Sequence, residues 1–231
     1  MDTLKEALCL NNKGVSLLLQ GNDREAVSVL GEALGVVKKL LALLGESSVD
    51  EHWMVAGSRC SQLNRNQGEI ATYHTTFPLP GWYQLPGQNF IYDNVVTIDS
   101  DSPFEQEGTV QLFTACIILN LGVAFHRRGH LDRNQKCIEK AEHFYGMISK
   151  LLRGISLKNN TAMFLMVTST NNLSQIHFVN GEISRARQGL QQLSTLFYSA
   201  ASAYLLFSER EWNGLVLNVL LLNPVIAAAA A

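Results

Sequence analysis

At 231 residues the chain is long enough to bury a substantial hydrophobic core. Its residues are 47% hydrophobic and only 16% charged, so few charges are left to solvate a surface, and much apolar area is either buried or offered to something else. A net charge of −2 removes the electrostatic case for a nucleic acid or an anionic membrane as partner, since each calls for a basic stripe.

The chain opens on "MDTLKEALCLNNK", which is charged and amphipathic rather than a secretory signal, so a cytoplasmic location is expected. Cys9, Cys60, Cys116 and Cys137 are scattered, with no C-x-x-C pair, as reduced thiols are; a disulfide framework or a zinc site would show closer spacing. Apolar residues at helical spacing predict helices over roughly 3–20 and 23–44, with Gly21 supplying the left-handed residue between them and Asn22 or Asp23 capping the second.

Residues 45–107 break the helical pattern. "EIATYHTTF" and "NFIYDNVVTID" are rich in β-branched and aromatic residues and flank "PLPGWYQLPGQ", which predicts two short strands joined by a loop. Helices then resume over roughly 106–128, 131–153, 161–180 and 182–207, with a last one near 210–222 before an alanine-rich tail at 223–231. The apolar C-terminal run is interrupted by Asn218, Asn223 and Pro224 and is short for a bilayer span.

Three stretches share one spacing of small and apolar residues, in steps of 3, 4, 5, 4 and 3. They are Gly14, Leu17, Gly21, Ala26, Leu30, Ala33; then Gly122, Phe125, Gly129, Asn134, Ile138, Ala141; then Ser174, His177, Gly181, Ala186, Leu190, Leu193. An asparagine stands two residues before each: Asn12, Asn120 and Asn172. Each stretch reads as a helical hairpin turning at its central glycine. The pattern resembles the tetratricopeptide repeat (TPR); the runs "NNL" and "LNLG" resemble its kinesin-light-chain style, and the segment ending "FIYDNVVTI", the "ILNLGVAFH" and "NNLSQIH" helices and the final "LNVLLL" make the whole chain resemble uncharacterised TPR-like proteins of diatoms. Asn134, His177 and Leu193 depart from the family's alanine and aromatic positions, and the intervals of 108 residues from Gly14 to Gly122 and 52 from Gly122 to Ser174 exceed the usual 34 or so.

The fold expected is therefore all-α: degenerate TPR-like hairpins stacked as an α/α superhelix, with a short β or extended insertion. One helical-repeat domain spans 1–231, with hairpins at 1–44, 108–154 and 160–207, the insertion at 45–107 and a terminal helix at 210–222. The resemblance implies a concave groove lined by the first helix of each hairpin, and a role as a non-enzymatic scaffold or adaptor that binds a protein or peptide. Asparagine carries both a donor and an acceptor, so Asn12, Asn120 and Asn172 can either grip an extended peptide backbone or tie repeats together; Asn11, Asn171 and Gln175 lie nearby. His126 and Arg127 fall on groove-lining positions, with Arg127 suited to an acidic ligand side chain.

His126 and His130 have the four-residue spacing of a metal pair, but Gly129 at the expected turn puts them on different helices, and no H-E-x-x-H motif or paired cysteine accompanies them. His177, at an inward position, reads as a packed core histidine. No P-loop, dinucleotide motif, nucleophile elbow or calcium loop appears, so no cofactor and no metal are expected. Two other functions stay open. One is an enzyme or small-ligand binder with a pocket between insertion and groove, walled by Trp82, Tyr83 and Tyr92 with His126 as acid or base; the other is a structural protein that self-associates through its C-terminal helix.

Overall fold

The structure is a computed structural model that describes residues 2–43, 72–74, 90–99, 109–199 and 203–222. It is mostly helical, in the order α1 (Asp2–Leu19), α2 (Asp23–Leu43), β1 (Thr72–His74), β2 (Val96–Ile98), α3 (Thr109–Leu131), α4 (Gln135–Leu151), α5 (Asn160–Val179), α6 (Ile183–Ser199), a 3₁₀ turn (Ala203–Leu206) and α7 (Glu209–Leu222). The predicted strand pair forms as an antiparallel ladder with Tyr73 opposite Thr97. Trp82, Tyr83 and the alanine-rich tail lie outside the described residues.

The helices pair as α1–α2, α3–α4 and α5–α6, and the second helix of each pair also packs on the first helix of the next: α2 on α3, α4 on α5, α6 on α7. One hydrophobic cluster runs through all of them, from Leu4 to Val219. Helix α3 is long and apolar enough to cross a membrane, but 89% of that span is buried inside the molecule, so its apolarity is that of a central core helix. Small residues set the close approaches. A side chain on Gly14 would run into Leu30, one on Gly122 into Tyr145, and Ser174 sits directly against Gly189.

Gly21 and Gly181 hold positive φ angles of 82° and 77° and turn their hairpins as the sequence predicts. The second hairpin corrects the prediction. Gly129 lies inside α3, and the chain turns four residues later, with Arg133 at φ 49°. Equivalent backbone bonds locate the difference: Ala26 N–H donates to Asn22, Ile138 N–H to Asn134 and Ala186 N–H to Glu182. From Gly14 to Asn22, and from Ser174 to Glu182, is 8 residues, but from Gly122 to Asn134 is 12. The second hairpin therefore carries one extra turn, and α4 enters one turn later than the spacing pattern places it. Asn134 is thus no misplaced alanine. It is the N-cap of α4, its side chain accepting from Lys136 N–H. Gly129 is needed for room, because a Cβ there would overlap Ile138. His126 and His130 consequently share one helix, with ring centroids 5.0 Å apart. Helix α6 also ends at Ser199, short of the predicted 207, and a 3₁₀ turn precedes α7.

Candidate functional site

The asparagines of the row bond to another part of the same chain. Helices α1, α3, α5 and α7 each aim an asparagine at the extended segment Phe90–Ile98 of the same chain. Asn218 accepts from Phe90 N–H at 2.9 Å and donates to the Phe90 carbonyl at 2.6 Å. Asn172 does the same for Tyr92, at 2.7 and 2.7 Å. Asn120 holds Val96, at 2.8 and 2.8 Å, and Asn12 holds Ile98, at 3.1 and 2.8 Å. In an extended chain, the N–H and C=O of one residue point to the same edge, and alternate residues share that edge. A side-chain amide facing the edge therefore stands in for a neighbouring strand.

Spacing explains why four helices can serve one strand. From Ile98 to Phe90 is 8 residues, and at about 3.3 Å per residue this covers roughly 26 Å. Divided over three helix-to-helix steps it gives about 9 Å, the usual distance between packed helix axes. The steps are uneven, however: two residues from Ile98 to Val96, four from Val96 to Tyr92, two from Tyr92 to Phe90.

The two short steps share a second device. Asn11, just before Asn12, accepts from Asn120 Nδ2 at 2.9 Å and reaches the Val96 carbonyl at 3.3 Å. Asn171, just before Asn172, accepts from Asn218 Nδ2 at 2.7 Å and donates to the Phe90 carbonyl at 3.1 Å. At the long step, the residue before Asn120 is Leu119, which is buried and apolar. Among the described residues no asparagine holds residue 94 there. Instead the Asn94 side chain donates to Glu211 at 2.6 Å, and Glu211 in turn caps α7 through Ser208.

The segment is deeply buried. Tyr92 is edge-on to Phe164 and Phe207, and Phe90 lies against Gly214, where a side chain would collide with its ring. Asp93 is buried with one carboxylate oxygen unpartnered among the described residues, and burial pushes its pKa up to about 6; Arg210 opposes the shift and Glu211 adds to it.

The other predicted site residues fall elsewhere. Gln175 is buried beside the row, but its amide finds no hydrogen-bond partner among the described residues. His126 and Arg127, expected to face the groove, are 1% and 3% exposed. Arg127 lies at the start of the extra turn of α3. It pairs with Asp23 at 2.8 Å and donates to the Leu18 carbonyl at 3.2 Å, so it fastens the first hairpin's turn to the second hairpin. His126 lies 3.4 Å from the Tyr145 hydroxyl, which accepts from Asn172 at 3.1 Å. Burial, with His130 alongside, holds its pKa well below the usual range, so the ring is neutral. Arg128 pairs loosely with Asp132 at 3.7 Å, beside an open cleft. Cys9 is exposed, Cys116 and Cys137 are buried, and all three are free thiols.

Two features escaped the sequence reading. Asn218 belongs to the row, and its "LN" preceding "VLLL" echoes the "LN" of Leu119–Asn120; only the absence of a recognisable hairpin after it hid the match. The other is His177, whose two glutamate neighbours come from different parts of the chain. No protein-family model, no curated protein and no solved structure matches this chain.

Proposed function

We propose that this protein is a non-enzymatic, TPR-like scaffold that binds extended protein segments on the face formed by α1, α3, α5 and α7, and that its own residues 90–98 fill this site in the free chain. The observation behind this is the set of paired amide bonds to Phe90, Tyr92, Val96 and Ile98. These bonds read backbone and not side chains, so the same row accepts any chain that can lie extended there and fill the apolar positions of Tyr92 and Val96. An incoming segment regains the contacts that the departing one gives up. What opposes the exchange is mainly the high effective concentration of a tethered segment, about millimolar or above. The same exchange between two copies would produce a strand-swapped dimer. The His126 ring is 1% exposed and lies 3.4 Å from the Tyr145 hydroxyl of α4.

Displacement in trans tests the proposal. Val96→Pro removes the N–H that Asn120 accepts and so weakens the resident segment. A labelled peptide of sequence FIYDNVVTID should bind this variant at least tenfold more tightly than the wild-type chain, as read by fluorescence anisotropy. Adding Asn120→Ala and Asn172→Ala to the variant should abolish binding. If Val96→Pro unfolds the helices, refolding by the peptide is the positive result. A folded variant that ignores the peptide, or an unfolded one that the peptide leaves unfolded, would overturn the proposal.

A further inference from the structure

A second cluster, independent of the asparagine row, lies where the second and third hairpins meet. His177, in the last turn of α5, places Nδ1 2.8 Å from Glu182 Oε2 and 3.9 Å from Glu142 Oε1. Glu182 immediately precedes α6 and Glu142 projects from α4, so three separate elements converge. One donor atom from each lies within 4.8 Å of the other two. His177 Nδ1 is shielded from solvent and faces the Glu182 carboxylate, which Arg185 and His177 together hold below the usual carboxylate range.

One imidazole nitrogen and two carboxylate oxygens brought this close from three elements also suit a coordination site. Nitrogen and oxygen ligands about 2.0–2.2 Å from a metal stand roughly 3 Å from one another, each with its lone pair directed at the ion and not at its neighbour. The 2.8 Å contact between Nδ1 and Oε2 matches one edge of such a polyhedron, and a side-chain rotation would bring Glu142 in from 3.9 Å. We propose that Glu142, His177 and Glu182 bind a divalent transition-metal ion of the zinc, cobalt or nickel class. A neutral imidazole selects these ions over calcium and magnesium, and the two carboxylates balance the charge. The glutamate side chains are 31% and 39% exposed, which leaves the solvent side open for water to complete the shell. Arg185, 2.9 Å from Glu182 Oε2, is an outer-shell partner for that carboxylate. A bound ion would clamp α4 to the α5–α6 turn, holding the second and third hairpins together.

The test uses the full chain, stripped with a chelator and then titrated with zinc and, for its absorption bands, with cobalt. One equivalent should bind the wild-type protein and raise its melting temperature. His177→Ala should abolish that equivalent, and Glu142→Gln should weaken it by about 10–100-fold. His143→Ala, one residue away, should leave it unchanged. The melting temperature of each variant in chelator shows whether the fold survives without the ion. Retention of the bound equivalent by His177→Ala, for instance at His126 and His130, overturns the proposal, as does a wild-type chain that takes up no metal.

Discussion

A single asparagine in this protein satisfies a donor and an acceptor on a buried backbone, which neither an apolar nor a charged residue can do. Asn120→Ala would strand the Val96 N–H and leave the Asn11 carbonyl oxygen without its donor, at a cost of about 2–4 kcal/mol, measured by denaturant unfolding. Asn120→Asp keeps the shape but aims a carboxylate at the Val96 carbonyl and at Asn11, so it should destabilise the chain more than alanine at neutral pH. An aspartate tolerated better than alanine would argue against the donor role assigned to Nδ2. Asp93 gives a prediction in pH. Its folded carboxyl titrates near 6 because of burial, against an ordinary 3.8, so the folded state holds the proton more firmly. Its contribution is fully present below about pH 4 and is lost as pH rises through 6, with a total near 3 kcal/mol. Asp93→Asn should remove that slope and stabilise the chain at pH 7; an unchanged pH profile would show that Asp93 is hydrated or paired when folded.

At the scale of the element, helical glycines divide by what surrounds them. Gly31 in α2 has nothing near the place of a Cβ, so Gly31→Ala should stabilise the protein by about 0.5–1 kcal/mol through helix propensity alone. Gly129→Ala gains the same propensity but drives into Ile138 and should be destabilising by about 1–3 kcal/mol. Thermal melts of the two variants moving in the same direction would contradict the packing of the second hairpin. These two glycines also show what the sequence could reveal. Among the described residues, the helices and the two strands were legible because they follow from local periodicity and β-branched runs. The extra turn of α3 was not. Inserting a whole turn preserves the apolar face, so Asn134, Ile138 and Ala141 still appear in register although the helix has not yet ended where the pattern turns it. The asparagine row was legible as a row, since Asn12, Asn120 and Asn172 share one offset. Its occupant was not, because nothing local links "FIYDNVVTI" to helices about 80 residues away on either side.

For the molecule as a whole, the segment changes how the hairpins depend on one another. A stack of helical repeats draws its stability from each unit and its nearest neighbours, so distant units can open separately. Here one strand is bonded in turn to α7, α5, α3 and α1, which ties the first hairpin to the last helix across the entire stack. Opening any one of these helices exposes backbone groups of a segment that the other three still hold, so the cost is shared rather than local. Native-state hydrogen exchange should therefore find the slowest amides of α1 and of α5 exchanging at the same free energy, through one global unfolding. In Val96→Pro the ladder loses its bond at α3 and the two values should separate, with α1 and α2 opening at lower cost than α5 and α6. Distinct values already in the wild-type chain would mean that the strand fills the face without coupling the helices, and that the stack behaves as an ordinary array.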